Sequence, residues 1–414
     1  MAVLGCIADD FTGASDAASF LVKGGMSVCL FNGVPEQAAA AGETQAVVIA
    51  LKSRTQQRAA AVADSLAAAD FLLARGVKQL YFKYCSTFDS TAEGNIGPVA
   101  DALMERTGAP CTVLCPSLPA NGRTVEGGSL FVNGVPLHQS HMKDHPLTPM
   151  RDCRIDRLMA PQSRYPSRAL AREELEGFRA PQGGPCYLIP DYSTDGDGAR
   201  IARTFGRLPL LTGGSGLLEH LAREWTGGTA GKGEIPGGGT RGRALLLAGS
   251  CSKATLGQIA WYQAQGKPSF KLDPGALLEG TQTPEDAWAF IAAHQGAGDA
   301  VLVYSSDSPE RVREYQKLGT ERVAALLEGI TAGLARRAVE AGFTRIISAG
   351  GETSGAVTKG LGFRSYLIGP SVAPGVPVMV PAEAPRIRLV LKSGNFGGED
   401  FFGKALEMTG EKEL

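Results

Sequence analysis

Short apolar runs of four to six residues recur along almost the whole chain, and stretches of helical character lie between several of them. That alternation constrains the fold more than any other feature. In the first half the runs are residues 3–7, 27–31, 46–51, 79–83, 110–115, 187–190 and 209–212. Between them, residues 14–23 stop at Gly24 and Gly25, and the Ala-rich residues 56–75 stop at Gly76. Glycine is the residue that most readily takes the left-handed backbone closing a helix. Wholly apolar strands joined through helices predict an α/β fold built on a mostly parallel sheet flanked by helices.

Residues 123–139 break this rhythm, with short extended pieces joined at Gly127-Gly128 and at Asn133-Gly134. The second pair is a strong hairpin signal, so a β excursion is expected in the first domain, followed by an irregular segment, 140–161, with His141, His145 and Pro146. Residues 226–242 are glycine-rich and almost free of large apolar side chains, the composition of a linker. Because 414 residues exceed one ordinary core, two domains are expected, 1–225 and 243–414. The alternation resumes in the second, with strands at 244–247, 269–272, 300–304, 345–348 and 389–392. Thr283-Pro284-Glu285 and Ser308-Pro309-Glu310 each supply a capping hydroxyl, a proline at the first helical position and an acid in the first turn. No internal repeat relates the two halves.

Composition narrows the function classes. The 41 Lys and Arg against 42 Asp and Glu leave a net charge of -1 and no basic excess to neutralise a polyanion, so nucleic acid is not expected as a partner. No run approaches the roughly 18 apolar residues that span a bilayer. The start of the chain enters a strand-like segment without a basic and apolar leader, so a cytoplasmic protein is expected. Eight scattered cysteines read as reduced thiols, Cys111 and Cys115 among them.

In open α/β sheets ligands bind beyond the carboxyl ends of the strands. After the first strand stand Asp9 and Asp10. Two adjacent carboxylates there can bind Mg²⁺, hold hydroxyls or take the proton of an attacking alcohol, and one of them can simply cap the next helix. Successive side chains of a strand point to opposite sides, which predicts different roles, with Asp10 expected at the substrate and Asp9 at the turn. After the third strand comes Arg54, whose planar fork suits a carboxylate. The fourth ends at Lys83 and continues into Ser86, Thr87 and Asp89, short groups suited to vicinal hydroxyls. In the second half Gly249-Ser250, Gly350-Gly351-Glu352-Thr353 and Ser393-Gly394 each follow a strand, and glycine turns let backbone N–H groups approach phosphates. Gly231-Lys232-Gly233 lacks the flanking residues of a phosphate-binding loop, and His138, His141 and His145 lack the spacing of a zinc site.

Residues 7–16, 86–91, 122–124, 144–150, 350–353 and 394–397 together resemble the four-carbon acid sugar kinase family, with the Asp9-Asp10-Phe11-Thr12-Gly13 block the most specific. The similarity runs over essentially the whole chain. It implies an acid-sugar-binding domain at 1–225, a linker at 226–242, and a nucleotide-binding domain at 243–414 that uses ATP with Mg²⁺. By that resemblance Asp9, Asp10, Arg54, Lys83, Ser86, Thr87 and Asp89 meet the acid, and Ser250, Gly350, Gly351, Glu352, Thr353 and Gly394 meet ATP. Asp10 and Asp89 are the candidates for the catalytic base, and the metal ligands are left open. Residues 392–397 with Glu399-Asp400-Phe401-Phe402 look more like family members acting on 3-oxo-tetronates than like D-threonate or D-erythronate kinases. A homodimer is left open, and a two-lobed sugar-acid sensor without turnover is the alternative from another class.

Overall fold

The computed structural model describes residues 2–36, 44–144, 148–181, 183–228, 234–294 and 300–411. His145, with Pro146 and Leu147, and the segment Gly231-Lys232-Gly233 lie outside the described residues. The chain divides into two compact units, Met1–Lys232 and Gly233–Leu414.

In the first unit the elements run β1 (Leu4–Ala8), α1 (Phe11–Lys23), β2 (Val28–Asn32), β3 (Ala46–Ala50), α2 (Arg58–Ala74), β4 (Gln79–Lys83), α3 (Ile96–Thr107) and β5 (Cys111–Cys115). A separate antiparallel sheet follows, β6 (Arg123–Glu126), β7 (Ser129–Val132) and β8 (Val135–Pro136). The unit closes with α4 (Ile155–Met159), β9 (Ser167–Leu170), β10 (Cys186–Pro190), α5 (Asp195–Phe205), β11 (Leu210–Gly213) and α6 (Gly216–Thr226). Its main sheet has the order β2-β3-β1-β4-β11-β5-β10-β9 and is parallel throughout. Both expected hairpin pairs form two-residue turns, with Gly127, Gly128, Asn133 and Gly134 at φ of 54°, 78°, 51° and 77°. These left-handed values match the twist of a β ribbon.

The order of this sheet creates a switch point. From β1 the chain moves one way, to β2, and from β4 it moves the other way, to β5. Right-handed crossovers running in opposite directions place their helices on opposite faces. Accordingly α1 packs with α6, and α2 with α3. Ala8 pairs with Ala50 on one side and Lys83 on the other, so the three strands end level and the loops after them share one crevice.

The second unit contains β12 (Ala244–Ala248), α7 (Lys253–Ala264), β13 (Ser269–Lys271), α8 (Pro274–Glu279), α9 (Pro284–Ala293), β14 (Ala300–Tyr304), α10 (Pro309–Gln316), α11 (Thr320–Glu340) and β15 (Arg345–Ala349). It continues with α12 (Gly351–Leu361), β16 (Ser365–Ala373), β17 (Val376–Pro381), β18 (Arg388–Lys392) and α13 (Phe401–Thr409). The order is β13-β14-β12-β15-β18-β17-β16, with β17 antiparallel to both its neighbours. Thr283 and Ser308 cap α9 and α10 through their side chains, as their sequence context predicts. The core joins β12, β15 and β18 to Tyr262 of α7 and Phe401, Phe402 and Ala405 of α13. Here too the connections diverge, from β12 towards β13 and from β15 towards β16, so a second switch point lies between β12 and β15.

Candidate functional site

In the first unit β1 delivers Asp9 and Asp10 to the crevice. Asp9 is buried, and Arg54, which follows β3, donates to it side-on from Nε and Nη2 at 2.8 Å each. Arg54 Nη1 also contacts Asp10 Oδ2. Burial raises the Asp9 carboxyl above its ordinary range, with Arg54 pulling the other way. Burial works to lower Arg54, but Asp9 and Asp10 outweigh it and hold the guanidinium well above its usual value. The placement of the two acids is the reverse of the expected one. Asp10 has extended backbone and caps α1, its carboxylate accepting the N–H of Gly13, while Asp9 is the buried acid facing the pocket. The reason is positional: β1 ends at Ala8 and α1 begins at Phe11, which leaves residue 10 as the cap. Asp9 occupies the Nε and Nη2 edge of Arg54 and Asp10 contacts Nη1, so each guanidinium nitrogen already faces a carboxylate.

Lys83 closes β4, is 3% exposed, and donates from Nζ to the Tyr84 carbonyl at 3.0 Å. A Cβ on Gly13 would come within 3.0 Å of that nitrogen and 2.9 Å of Asp10, so glycine permits this packing. Asp16, inside α1, accepts from the Ser215 hydroxyl through Oδ2, and its Oδ1 is buried without a hydrogen-bond partner. Burial raises its pKa, and the Lys83 charge opposes the rise.

The loop after β4 turns through Phe88 at φ 51°, unusual for a bulky residue, and the ring is fully buried edge-on to Tyr84. This turn brings Thr87 Oγ1 to 2.6 Å from Asp89, to which it donates. Burial pushes the neighbouring Cys85 thiol up to about 11, with Asp89 adding to it, which removes thiolate chemistry from this loop. Asp9, Ser53, Arg54, Asp89, Ser90 and Asn95 line one small pocket, floored by Phe82 and Ile96. Asn95 donates to the carbonyls of Ser53 and Gln56 at 2.7 and 2.8 Å and so ties the β3 loop to the start of α3. Ser53 Oγ is buried and has no hydrogen-bond partner among the described residues. Ser86, half-buried in the same loop, and Lys83 and Thr87 are not among the pocket's lining residues.

In the second unit three strand ends converge. Gly249 N–H and Gly350 N–H donate to the carbonyls of Ala349 and Lys392 at 3.1 and 2.9 Å, stitching β12, β15 and β18 together. A Cβ on Gly350 would lie 2.9 Å from Thr353 Oγ1 and 3.1 Å from Ser250 N, and its φ of 130° excludes most side chains anyway. A Cβ on Gly394 would lie 2.3 Å from Ser250 Oγ. Ser250 thus packs against both Gly350 and Gly394, and Thr353 against Gly350, whereas Gly351 faces open space and Glu352 is exposed on the first turn of α12. The Gly394 carbonyl accepts from Ser252 Oγ at 2.7 Å, Thr255 Oγ1 at 2.9 Å and Lys392 Nζ at 2.9 Å. Sequence reasoning passed over Ser53, Asp16, Thr255 and Lys392 as individual groups. For the two buried polar residues that end strands or follow them, Lys392 and Ser53, position alone was the available signal.

Comparison with known proteins bears on both units. Residues 4–221 match a sugar-binding N-terminal domain family and residues 245–402 a nucleotide-binding C-terminal domain family. A 3-oxo-tetronate kinase of Pseudomonas fluorescens is 44% identical over 422 residues, covering 98% of this chain and 96% of the relative. One from Cupriavidus necator is also 44% identical, over 99% of this chain and 97% of its own length. A solved Haemophilus influenzae structure superposes with a TM-score of 0.84 at 39% identity, covering 98% of this chain and all of that one. A Salmonella typhimurium structure gives 0.89 at 40% identity, over 97% and 98%. With matches of this length in both units, the chain belongs to the four-carbon acid sugar kinase family, with its sugar-binding N-terminal and nucleotide-binding C-terminal domains.

Proposed function

We propose that this chain is an ATP-dependent kinase that phosphorylates the 4-hydroxyl of a 3-oxo-tetronate, with the acid on the first unit and the nucleotide on the second. The observation that carries this reading is the full-length similarity to kinases named for that substrate, at 44% identity. The pocket chemistry agrees with it. Arg54 supplies positive charge for the acid's carboxylate, and Asp9 and Asp89 supply acceptors for its oxygens, while Lys83, Ser86 and Thr87 lie outside the lining residues and Asp10 is held at the α1 cap. Asp89 takes the base role: it lines the pocket beside Asp9 and Arg54, whereas Asp10 is committed to the α1 cap and to Arg54. The substrate oxygen forms a bond to the γ-phosphorus, the bond from that phosphorus to the bridging oxygen breaks, ADP leaves, and the hydroxyl proton passes to Asp89.

On the second unit Ser250, Gly350, Gly351, Thr353 and Gly394 hold the phosphates through close backbone approach, with the α12 N-terminus adding favourable dipole. Among the described residues no three acidic, histidine or cysteine side chains form a metal cage. The residues present fit an ion that arrives with the nucleotide, with Glu352 as the one carboxylate at the turn. Mg²⁺ there would neutralise charge on the transferring phosphoryl group.

The test is coupled ADP release against 3-oxo-tetronates, D-threonate and D-erythronate. The expected result is a kcat/KM for a 3-oxo-tetronate at least about tenfold above the others, a difference of ~1.4 kcal/mol in transition-state binding. Preferential turnover of threonate or erythronate would move the substrate assignment while keeping the kinase.

A further inference from the structure

Lys392 is the last residue of β18 and is 1% exposed. Its ammonium donates to three neutral acceptors, Thr255 Oγ1 at 3.0 Å, the Ser393 carbonyl at 3.2 Å and the Gly394 carbonyl at 2.9 Å. The Phe401 ring centroid lies 5.6 Å from Nζ. Lys83, which ends a strand in the same way in the first unit, has the charges of Asp9 and Asp16 within electrostatic reach. Lys392 has no such partner. Among the described residues no carboxylate pairs with it, and burial alone pushes its pKa down, to about 8.

A buried ammonium without a counter-ion is costly, and one removed from water so completely is retained only where something compensates it. Its position says what that is. The turn it pins carries Gly394, which packs on Ser250, which in turn packs on Gly350. The Gly394 turn therefore rests directly on the Lys392 ammonium, Ser250 at one remove and Gly350 at two. We propose that Lys392 is the fixed cation of the nucleotide site, a positioning residue that holds the Gly394 turn and whose missing counter-ion is the polyphosphate chain of the nucleotide. The inference rests on the second unit binding ATP.

The charged groups on the surrounding elements are accounted for. Lys253 of α7, Glu352 and Lys359 of α12, Glu399, and Glu407 of α13 are exposed, and Asp400 is paired with Lys404 on α13. Arg345 and Arg388 stand at the opposite ends of β15 and β18 from Lys392. None of them shifts Lys392. A bound polyphosphate would be the first anion near it, so binding would draw a proton onto any Lys392 that had lost one.

Calorimetry of ATP binding to the full chain, run at about pH 8.5 in two buffers of different ionisation enthalpy, reads that proton directly. The expected result is uptake of a large fraction of one proton per ATP by the native protein and none by K392M. K392M should also raise the KM for ATP about tenfold or more and leave the KM for the acid unchanged. A K392M variant with native ATP affinity overturns the proposal, and if K392M fails to fold, native ATP affinity in K392Q does so. Complete absence of ATP binding by the native protein would overturn the nucleotide reading itself, a result distinct from either.

Discussion

Asp9, Asp10 and Asp89 are chemically alike and are set apart by their neighbours. Asp9 is clamped by Arg54, Asp10 caps α1, and Asp89 keeps a carboxylate that accepts one short bond from Thr87. Asp89→Asn is therefore expected to lower kcat by roughly 10²- to 10⁴-fold with little change in Tm. Asp10→Asn should cost stability of about 1 kcal/mol or less through a weakened cap and affect kcat far less. Measuring kcat and Tm on both separates them, and a fully active Asp89→Asn would move the base to another residue. Ser53 makes a second prediction, because its buried hydroxyl has no hydrogen-bond partner among the described residues. Ser53→Ala should raise the KM for the acid a few-fold, the scale of one ~1 kcal/mol hydrogen bond, while Tm holds or rises. An unchanged KM would make the hydroxyl a bystander. Lys392 gives a pH dependence whose sign is opposite to that of a salt-bridged lysine. Its folded pKa of about 8 lies below the ordinary 10.5, so between those values the unfolded chain holds a proton that the folded chain has lost. Stability contributed by this group thus rises with pH through that window, and the cost of the buried charge is fully present below it. K392M should accordingly be more stable than the native protein near neutral pH, with the gap closing above the window, as denaturant midpoints would read.

Among the elements, the turns after the strands decide where the candidate site residues sit. Gly350 sits at φ 130° with Thr353 and Ser250 close behind its missing side chain. Gly350→Ala should add strain of about 1–3 kcal/mol and raise the KM for ATP while acid binding by the first unit is kept. Gly351, which the sequence marks equally, has open space around it and is expected to tolerate alanine better. Equal ATP affinity in the two variants would contradict this. Most of the strands and the caps at Thr283 and Ser308 were legible because their signals are local: wholly apolar runs, Asn-Gly turns, a hydroxyl followed by proline. The hairpin of β16 and β17 was not, since Pro370, Pro374, Pro377 and Pro381 argue against strands and are tolerated here at a turn, a bulge and strand ends. Nor was β9, an edge strand of four residues with only Leu170 buried. The exchange of places between Asp9 and Asp10 escaped because it depends on where one strand stops, a shift of a single residue.

For the whole molecule, each unit is an α/β sheet with one switch point, and the candidate site residues gather at it: Asp9, Arg54 and Asp89 in the first, Ser250, Gly350 and Gly394 in the second. The strand ends were readable from sequence. The contacts that tie them, Asn95 to the β3 loop and Lys392 to the Gly394 turn, join residues 39 or more apart, or lie in a buried strand terminus, and had no local signature. Phosphorus NMR of the reaction mixture follows the transfer of one phosphoryl group from ATP to the 4-hydroxyl of a 3-oxo-tetronate. The expected result is one new phosphomonoester signal, split by the two protons on C4 and growing in step with ADP. ADP formation with free phosphate as the only other product, or a phosphomonoester coupled to a different carbon, would contradict it.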